Sequence, residues 1–166
     1  MGDMKIEILT IFPKMFESPF AESIVKRAQG EGRVEVVIHD LRKWTEDKHR
    51  SVDDSPYGGG AGMVMRVDVI DRAVRDLKRS KKQITKNKQS PTNNLQETNK
   101  TKVILLDTKG KIYNQQKAKE LSSTEHLIMI AGHYEGVDHR VHEQIADEGV
   151  SIGEYVLTGG ELPAMV

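Results

Sequence analysis

Two periods alternate along this chain, and their order predicts its elements. Lys5–Phe12 (KIEILTIF) alternates apolar and polar and then runs apolar, as a strand entering a core would. After Pro13, the apolar residues Met15, Phe16, Phe20, Ile24, Val25 and Ala28 recur at roughly helical spacing, and Gly30 and Gly32 end the segment. Val34–His39 (VEVVIH), rich in β-branched residues, predicts a second strand. Asp68 is placed to cap a helix carrying Val69, Ile70, Ala73, Val74 and Leu77 on one face. Val103–Leu106 and His126–Ala131 predict two more strands, with a helix near Gln115–Leu121 between them. A helix over Val137–Ala146 follows, and β character resumes across Gly149–Leu157. Strands alternating with helices predict an α/β fold, a mostly parallel sheet with flanking helices. In such sheets ligands bind where loops leave the carboxyl ends of strands, and the glycine-rich segments here follow predicted strands.

Ser80–Thr101 lacks periodicity and is rich in Lys, Asn, Gln, Ser and Thr, which predicts a long mobile basic loop. Net charge is zero, which argues against coating nucleic acid by bulk charge. The distribution is uneven, however. Lys78–Lys102 holds eight Lys/Arg against one acid, Glu97, whereas Ala131–Val166 holds seven acids against one base, Arg140. A basic arm beside an acidic body can guide an RNA backbone; a solvated loop is the plainer alternative. The absence of cysteine excludes disulfides and thiolate metal sites. No N-terminal apolar stretch suits a signal peptide or a membrane span, so a cytoplasmic protein without a membrane partner is expected.

Four segments carry candidate chemistry. Asp53–Met63 (DDSPYGGGAGM) has four glycines in five positions, from Gly58 to Gly62. Such freedom serves close approach of backbone N–H groups to a phosphate or nucleotide, or a flexible linker equally well. It is not a P-loop, since no Lys-Ser/Thr follows. Leu106–Lys111 (LDTKGK) turns directly after a strand and can close on a small ligand or be a plain turn. Ala131–Asp138 (AGHYEGVD) presents Tyr134 and Glu135 between two glycines; Glu135 or Asp138 can instead cap the next helix. Ser151–Pro163 (SIGEYVLTGGELP) threads apolar residues between glycines. It could form a slot suited to an adenine, whose face wants apolar walls and whose edge wants backbone partners, or be a core strand ending in a turn. No GxSxG elbow is present, and Ala146 stands where HExxH needs its second histidine. His133, His139 and His142 are expected as solvated helix-face residues and Trp44 as a packing residue, with no metal site.

Together and in order, KIEILTIFPKMF from Lys5, Lys48–Met65, Gly132–Asp138 and SIGEYVLTGGELPAM resemble the TrmD-type tRNA (guanine-N1)-methyltransferases of the SPOUT class. The resemblance covers nearly all of residues 1–166 outside the Ser80–Thr101 loop, and Met1–Asp3 precede its usual start. It implies a SPOUT-type fold with a C-terminal trefoil knot, a homodimer with shared active sites, and transfer of methyl from S-adenosylmethionine to N1 of the guanine 3′ of the tRNA anticodon. A role for Mg²⁺ is left open. It further implies cofactor contacts from Leu106, Asp107, Thr108 and Gly110, then Gly132, Tyr134, Glu135 and Gly136. Ile152, Gly153, Glu154, Tyr155, Val156, Leu157, Gly159, Gly160 and Pro163 would complete the set. Glu135 would face both cofactor and guanine in a supporting catalytic role, and Asp53, Asp54, Tyr57, Gly58, Gly59 and Gly60 would meet tRNA. Asp107-Thr108-Lys109-Gly110 departs from the family's usual Ser-Pro-Gln-Gly, which puts side-chain contacts there in question. The family's general-base aspartate and an arginine near the guanine belong to a helical C-terminal domain beyond Val166. Residues 1–166 are therefore expected to bind cofactor and dimerise but to transfer methyl poorly. A non-catalytic tRNA-binding module and a nucleotide-triphosphate hydrolase are the rival readings, and the missing Gly-Lys-Ser/Thr speaks against the second.

Overall fold

The computed structural model describes residues 4–56, 59, 62–86 (backbone alone over 81–86) and 101–166. In chain order the strands are β1 (Met4–Thr10), β2 (Val34–Asp40), β3 (Asp53–Asp54), β4 (Val64–Met65), β5 (Thr101–Ile112), β6 (His126–Ala131) and β7 (Glu148–Ser151). The helices are α1 (Ser23–Gly30), α2 (Val67–Lys86), α3 (Gln115–Leu121), α4 (Arg140–Gln144) and α5 (Glu161–Met165). Five strands form one sheet in the order β2-β1-β6-β5-β7, with every pairing parallel. The short β3 and β4 pair antiparallel beside it. The predicted α/β class with a mostly parallel sheet is what the chain adopts.

Period-two alternation sorts side chains to the two faces. Leu9, Val103, Leu105, Ile128 and Ile130 meet Val69, Ile70, Ala73, Val74 and Leu77 of α2 on one face. Ile8, Ile104, Leu106, Leu127 and Val150 meet Phe16, Leu121 and Ala164 on the other. The central strand β6, covered on both sides, reads HLIMIA without polar interruption after His126.

Several boundaries differ from the sequence reading. The helical spacing after Pro13 resolves into 3-10 turns at Pro13–Phe16 and Pro19–Ala21 before α1, because each proline suits a first turn. Asp68 is not the cap of α2; it lies inside the first turn, where its carboxylate accepts from Arg66 and Arg72. Residues Ser80–Lys86 continue α2 instead of opening a loop, since Lys and Gln favour a helix without any apolar period to announce it. The rest of that predicted loop, 87–100, lies outside the described residues. Helix α4 covers only Arg140–Gln144, and β7 ends at Ser151. Strand β5 runs past Leu106 to Ile112, with a register shift against β7 between Leu106 and Lys111.

From β7 the chain turns back across the carboxyl end of β6. Gly160 N–H donates to Gly132 O at 2.7 Å, and α5 packs on β6 and on the Pro13–Phe16 turn. Among the described residues, no helix is long and apolar enough to cross a membrane.

Candidate functional site

That return path brings the loops after β6 and β7 together with the irregular stretch of β5 that begins at Leu106. They enclose a cavity of about 270 Å³. Of the residues expected to hold a cofactor, Leu106, Asp107, Thr108, Gly132, Tyr134, Glu135, Gly136, Ile152, Tyr155, Val156, Leu157, Gly159, Gly160 and Pro163 line it. Gly110, Gly153 and Glu154 do not. Gly110 serves packing: a Cβ there would meet Val150 N at 2.4 Å, so its bare backbone lets the far end of β5 press on β7. Gly153 leaves room for the Tyr155 ring, which a Cβ would meet at 2.3 Å.

The loop from Gly132 to Asp138 is braced by the segment that carries the glycine cluster. Glu135 N–H donates to Met63 O, Met65 N–H to Gly136 O and Asp138 N–H to Met65 O, each near 3.0 Å. The fully buried Met65 also receives the His133 N–H on its sulfur at 3.1 Å. This bracing holds Tyr134 at φ +61°, a left-handed conformation uncommon for an aromatic residue, with Gly136 at φ +124° completing the turn. Gly62, at φ +87°, lies where a Cβ would meet Glu135 Cγ at 2.3 Å, so the glycine cluster and the Glu135 carboxylate arm share one space. Burial, and after it the charge of Asp53, pushes the Tyr134 hydroxyl up, which keeps it a donor. Asp53 and Asp54 form β3, one strand away from this turn, and Asp54 accepts from Ser55 N–H. Gly59 is exposed, at φ +83°, and Tyr57, Gly58 and Gly60 lie outside the described residues.

Walls and polar groups differ in kind. Leu106, Val137, Val150, Ile152, Leu157 and Pro163 supply apolar surface. The backbone N–H groups of Tyr155, Val156 and Leu157 have no hydrogen bond among the described residues. Asp138, lowered chiefly by its bond from Arg140, accepts from Arg140 N–H at 3.0 Å at the start of α4, whose N-cap is His139. The histidines read as solvated divide. His139 is mostly exposed, but His142 Nε2 lies 2.9 Å from Asp107 Oδ2, and His133 Nδ1 lies 3.7 Å from Glu161 Oε2. Glu161 is 2% exposed and accepts from the Thr10 hydroxyl at 2.8 Å. The His133 Nδ1 atom is itself buried without a hydrogen-bond partner. Sequence reasoning missed the histidines His133, His139 and His142 and the charged Lys109 as cavity residues. Their signal was positional: the histidines stand in or one turn after the loop that follows β6, and Lys109 stands where the sequence places a turn after Leu106. Among the described residues no group of three or more His, Asp or Glu is arranged to hold a metal ion.

Residues 4–166 match the family model described as tRNA (Guanine-1)-methyltransferase TrmD. The chain is 51% identical over 163 residues to a tRNA (guanine-N(1)-)-methyltransferase of Dictyoglomus turgidum, covering 98% of this chain and 58% of that protein. Proteins of the same name from Chloroflexus aggregans and Dehalococcoides mccartyi are 47% and 48% identical over 98% of this chain and 58% and 59% of their own lengths. The chain thus spans somewhat over half the length of these curated relatives. With the braced turn at Tyr134 and the loops at the strand ends falling within the matched residues, the chain belongs to the tRNA (Guanine-1)-methyltransferase TrmD family.

Proposed function

We propose that this chain forms the S-adenosylmethionine-holding part of a tRNA (guanine-N1)-methyltransferase that acts on the guanine 3′ of the anticodon. The observation that carries the reading is convergence: Leu106–Lys109 of β5 and the loops after β6 and β7 line one cavity. The residues present fit an adenine nucleoside. Apolar walls flank unengaged amides at Tyr155–Leu157, and the orphaned, buried His133 Nδ1 offers a polar contact. In this reading Ile152, Leu157 and Pro163 clasp the base, Gly132 and Gly136 admit the ribose, and Tyr134 shapes the bend of the ligand.

The bound cofactor supplies an activated methyl on a sulfonium. What remains for the protein is alignment, removal of the N1 proton from guanine, and donors for charge growing on O6. Within this chain, Glu135 stands on the braced turn at the cavity as an acceptor for a donor edge of the guanine. The cofactor-binding work and the tRNA-facing segment Asp53–Gly60 are thereby joined through Gly62 and Met63. The return of the chain over β6, with Gly160 seated against Gly132, supports the trefoil knot of the SPOUT class as part of this proposal. So does a homodimer acting on tRNA in the cytoplasm, where the exposed Tyr155, Val156 and Leu162 offer apolar surface to a second copy. Mg²⁺ has no assigned role.

Calorimetric titration with S-adenosylmethionine and with ATP tests the reading, on the wild type and on Gly132→Val. Gly132 lines the cavity, and a Cβ there meets only ordinary contacts at 3.5 Å; the variant is checked as folded by its urea midpoint before titration. Micromolar binding of the methionine cofactor alone, lost in the variant, is expected. Binding of ATP would favour a nucleotide hydrolase, and RNA binding with no cofactor affinity would favour a non-catalytic tRNA module.

A further inference from the structure

Of the carboxylates lining the cavity, Asp107 is the less exposed: its side chain is 18% accessible, whereas Glu135 is exposed. It is also fixed. His142 Nε2 holds one oxygen at 2.9 Å, and the other accepts from Lys109 N–H at 2.9 Å and the Thr108 hydroxyl at 3.3 Å. The Asp107 carboxylate places a negative charge on the cavity wall, with the His142 ring beside it. Lys109 and Glu135, the other fully charged side chains lining the cavity, are exposed, opposite in sign and screened by solvent. The wall charge of Asp107 is therefore the one a bound molecule feels most.

Methyl transfer changes the cofactor in one electrostatic respect: a sulfonium carrying a positive charge becomes a neutral thioether, while nucleoside and amino-acid parts stay the same. We infer that Asp107, oriented by His142, makes this cavity favour the sulfonium donor over its thioether product. This rests on the reading that the cavity holds S-adenosylmethionine. It gives the departure at Asp107 a consequence: the sulfonium donor displaces the spent product more readily than it would at an uncharged wall. His142 acts here as a positioning residue, and Asp107 as the selectivity determinant.

The test measures a ratio of affinities, which a merely structural role would not move. S-adenosylmethionine, S-adenosylhomocysteine and an analogue with a protonated amine in place of the sulfonium are titrated calorimetrically into the wild type, Asp107→Asn and His142→Phe. The asparagine keeps size and an acceptor for Lys109 N–H but removes the charge. With an effective dielectric near 20 and partial screening, loss of one nearby charge should lower the sulfonium-to-thioether preference by about fivefold to tenfold. Thioether affinity should change little, and the cationic amine should follow the sulfonium. His142→Phe, which frees the carboxylate, should lose part of the preference. An unchanged ratio in Asp107→Asn, including one in which all three affinities fall by a common factor, overturns the inference while leaving the cofactor cavity standing. Failure of the wild type to bind any of the three overturns the cavity assignment and this inference with it.

Discussion

Single glycines in this chain separate two demands that look alike in sequence. Gly160 cannot accept a side chain: a Cβ would lie 2.7 Å from Gly132 N and 2.8 Å from Ala131 Cα, both backbone atoms with no way to yield. Gly132, on the other side of that contact, would meet only Leu106 O and Val137 Cγ1 at 3.5 Å. Gly160→Ala is therefore expected to cost about 1–3 kcal/mol by forcing the return segment off β6. Gly132→Ala should stay within about 1 kcal/mol of wild type. Urea unfolding midpoints check the pair; equal tolerance of both would mean that the segment is not seated where Gly160 places it. Residue identity alone announced that these glycines mattered but not to what. Gly110, Gly153 and Gly160 admit other parts of the chain, and those neighbours lie far away or across a turn whose path the letters do not encode. The His142–Asp107 contact escaped for the same reason: it joins the middle of β5 to α4, and a histidine on a short helix reads by itself as a solvated one.

Elements were more legible than contacts between them. β6 and α3 begin and end where the apolar periodicity places them, because a strand buried on both faces and a short amphipathic helix each leave an unambiguous local pattern. The end of α2 was not legible, since its Lys and Gln residues favour a helix without an apolar period in the sequence to mark it. Nor was the bracing of the Gly132–Asp138 turn by β4, which spans some seventy positions in sequence and depends on three backbone bonds and one sulfur. That bracing predicts a local effect. Met65 is fully buried and packs in the α2-side core. Met65→Ala should cost about 2–5 kcal/mol through the cavity it leaves. It should also release the turn, because the acceptor for His133 N–H is gone. Hydrogen exchange should then rise over 132–138 by more than over β6 beyond the uniform change set by lower stability. A uniform rise across both elements would show that β4 holds the core but not the site.

Across the whole molecule, the three adjacent strands β2, β1 and β6 are joined by one carboxylate that the proposed chemistry does not use. Glu7 of β1 is 2% exposed. Its Oε2 lies 2.6 Å from Nε2 of the fully buried His126 on β6, and its Oε1 lies 3.0 Å from Nε2 of His39 on β2 and 3.0 Å from Lys5 Nζ. The Thr101 hydroxyl on β5 stands 3.1 Å from the other ring nitrogen of His126, so four strands meet in one polar chain. Burial alone would raise the Glu7 carboxyl, but the bonds from His126, His39 and Lys5 outweigh it and hold the group well below its ordinary value of 4.5. A carboxyl lowered on folding binds fewer protons in the native state than in the unfolded one. Its contribution is thus complete above the unfolded value near 4.5 and is lost progressively as pH falls below it toward the lower folded value. The wild type should therefore lose stability steeply below about pH 4.5, beyond what its exposed carboxylates explain. Glu7→Gln should be less stable near neutral pH by about 3–5 kcal/mol, the usual result of breaking a buried charge network by removing one partner. The difference between the two proteins should narrow as pH drops. Unfolding free energies measured from pH 7 to pH 3 decide it: parallel curves would show that Glu7 packs these strands together without binding them by charge.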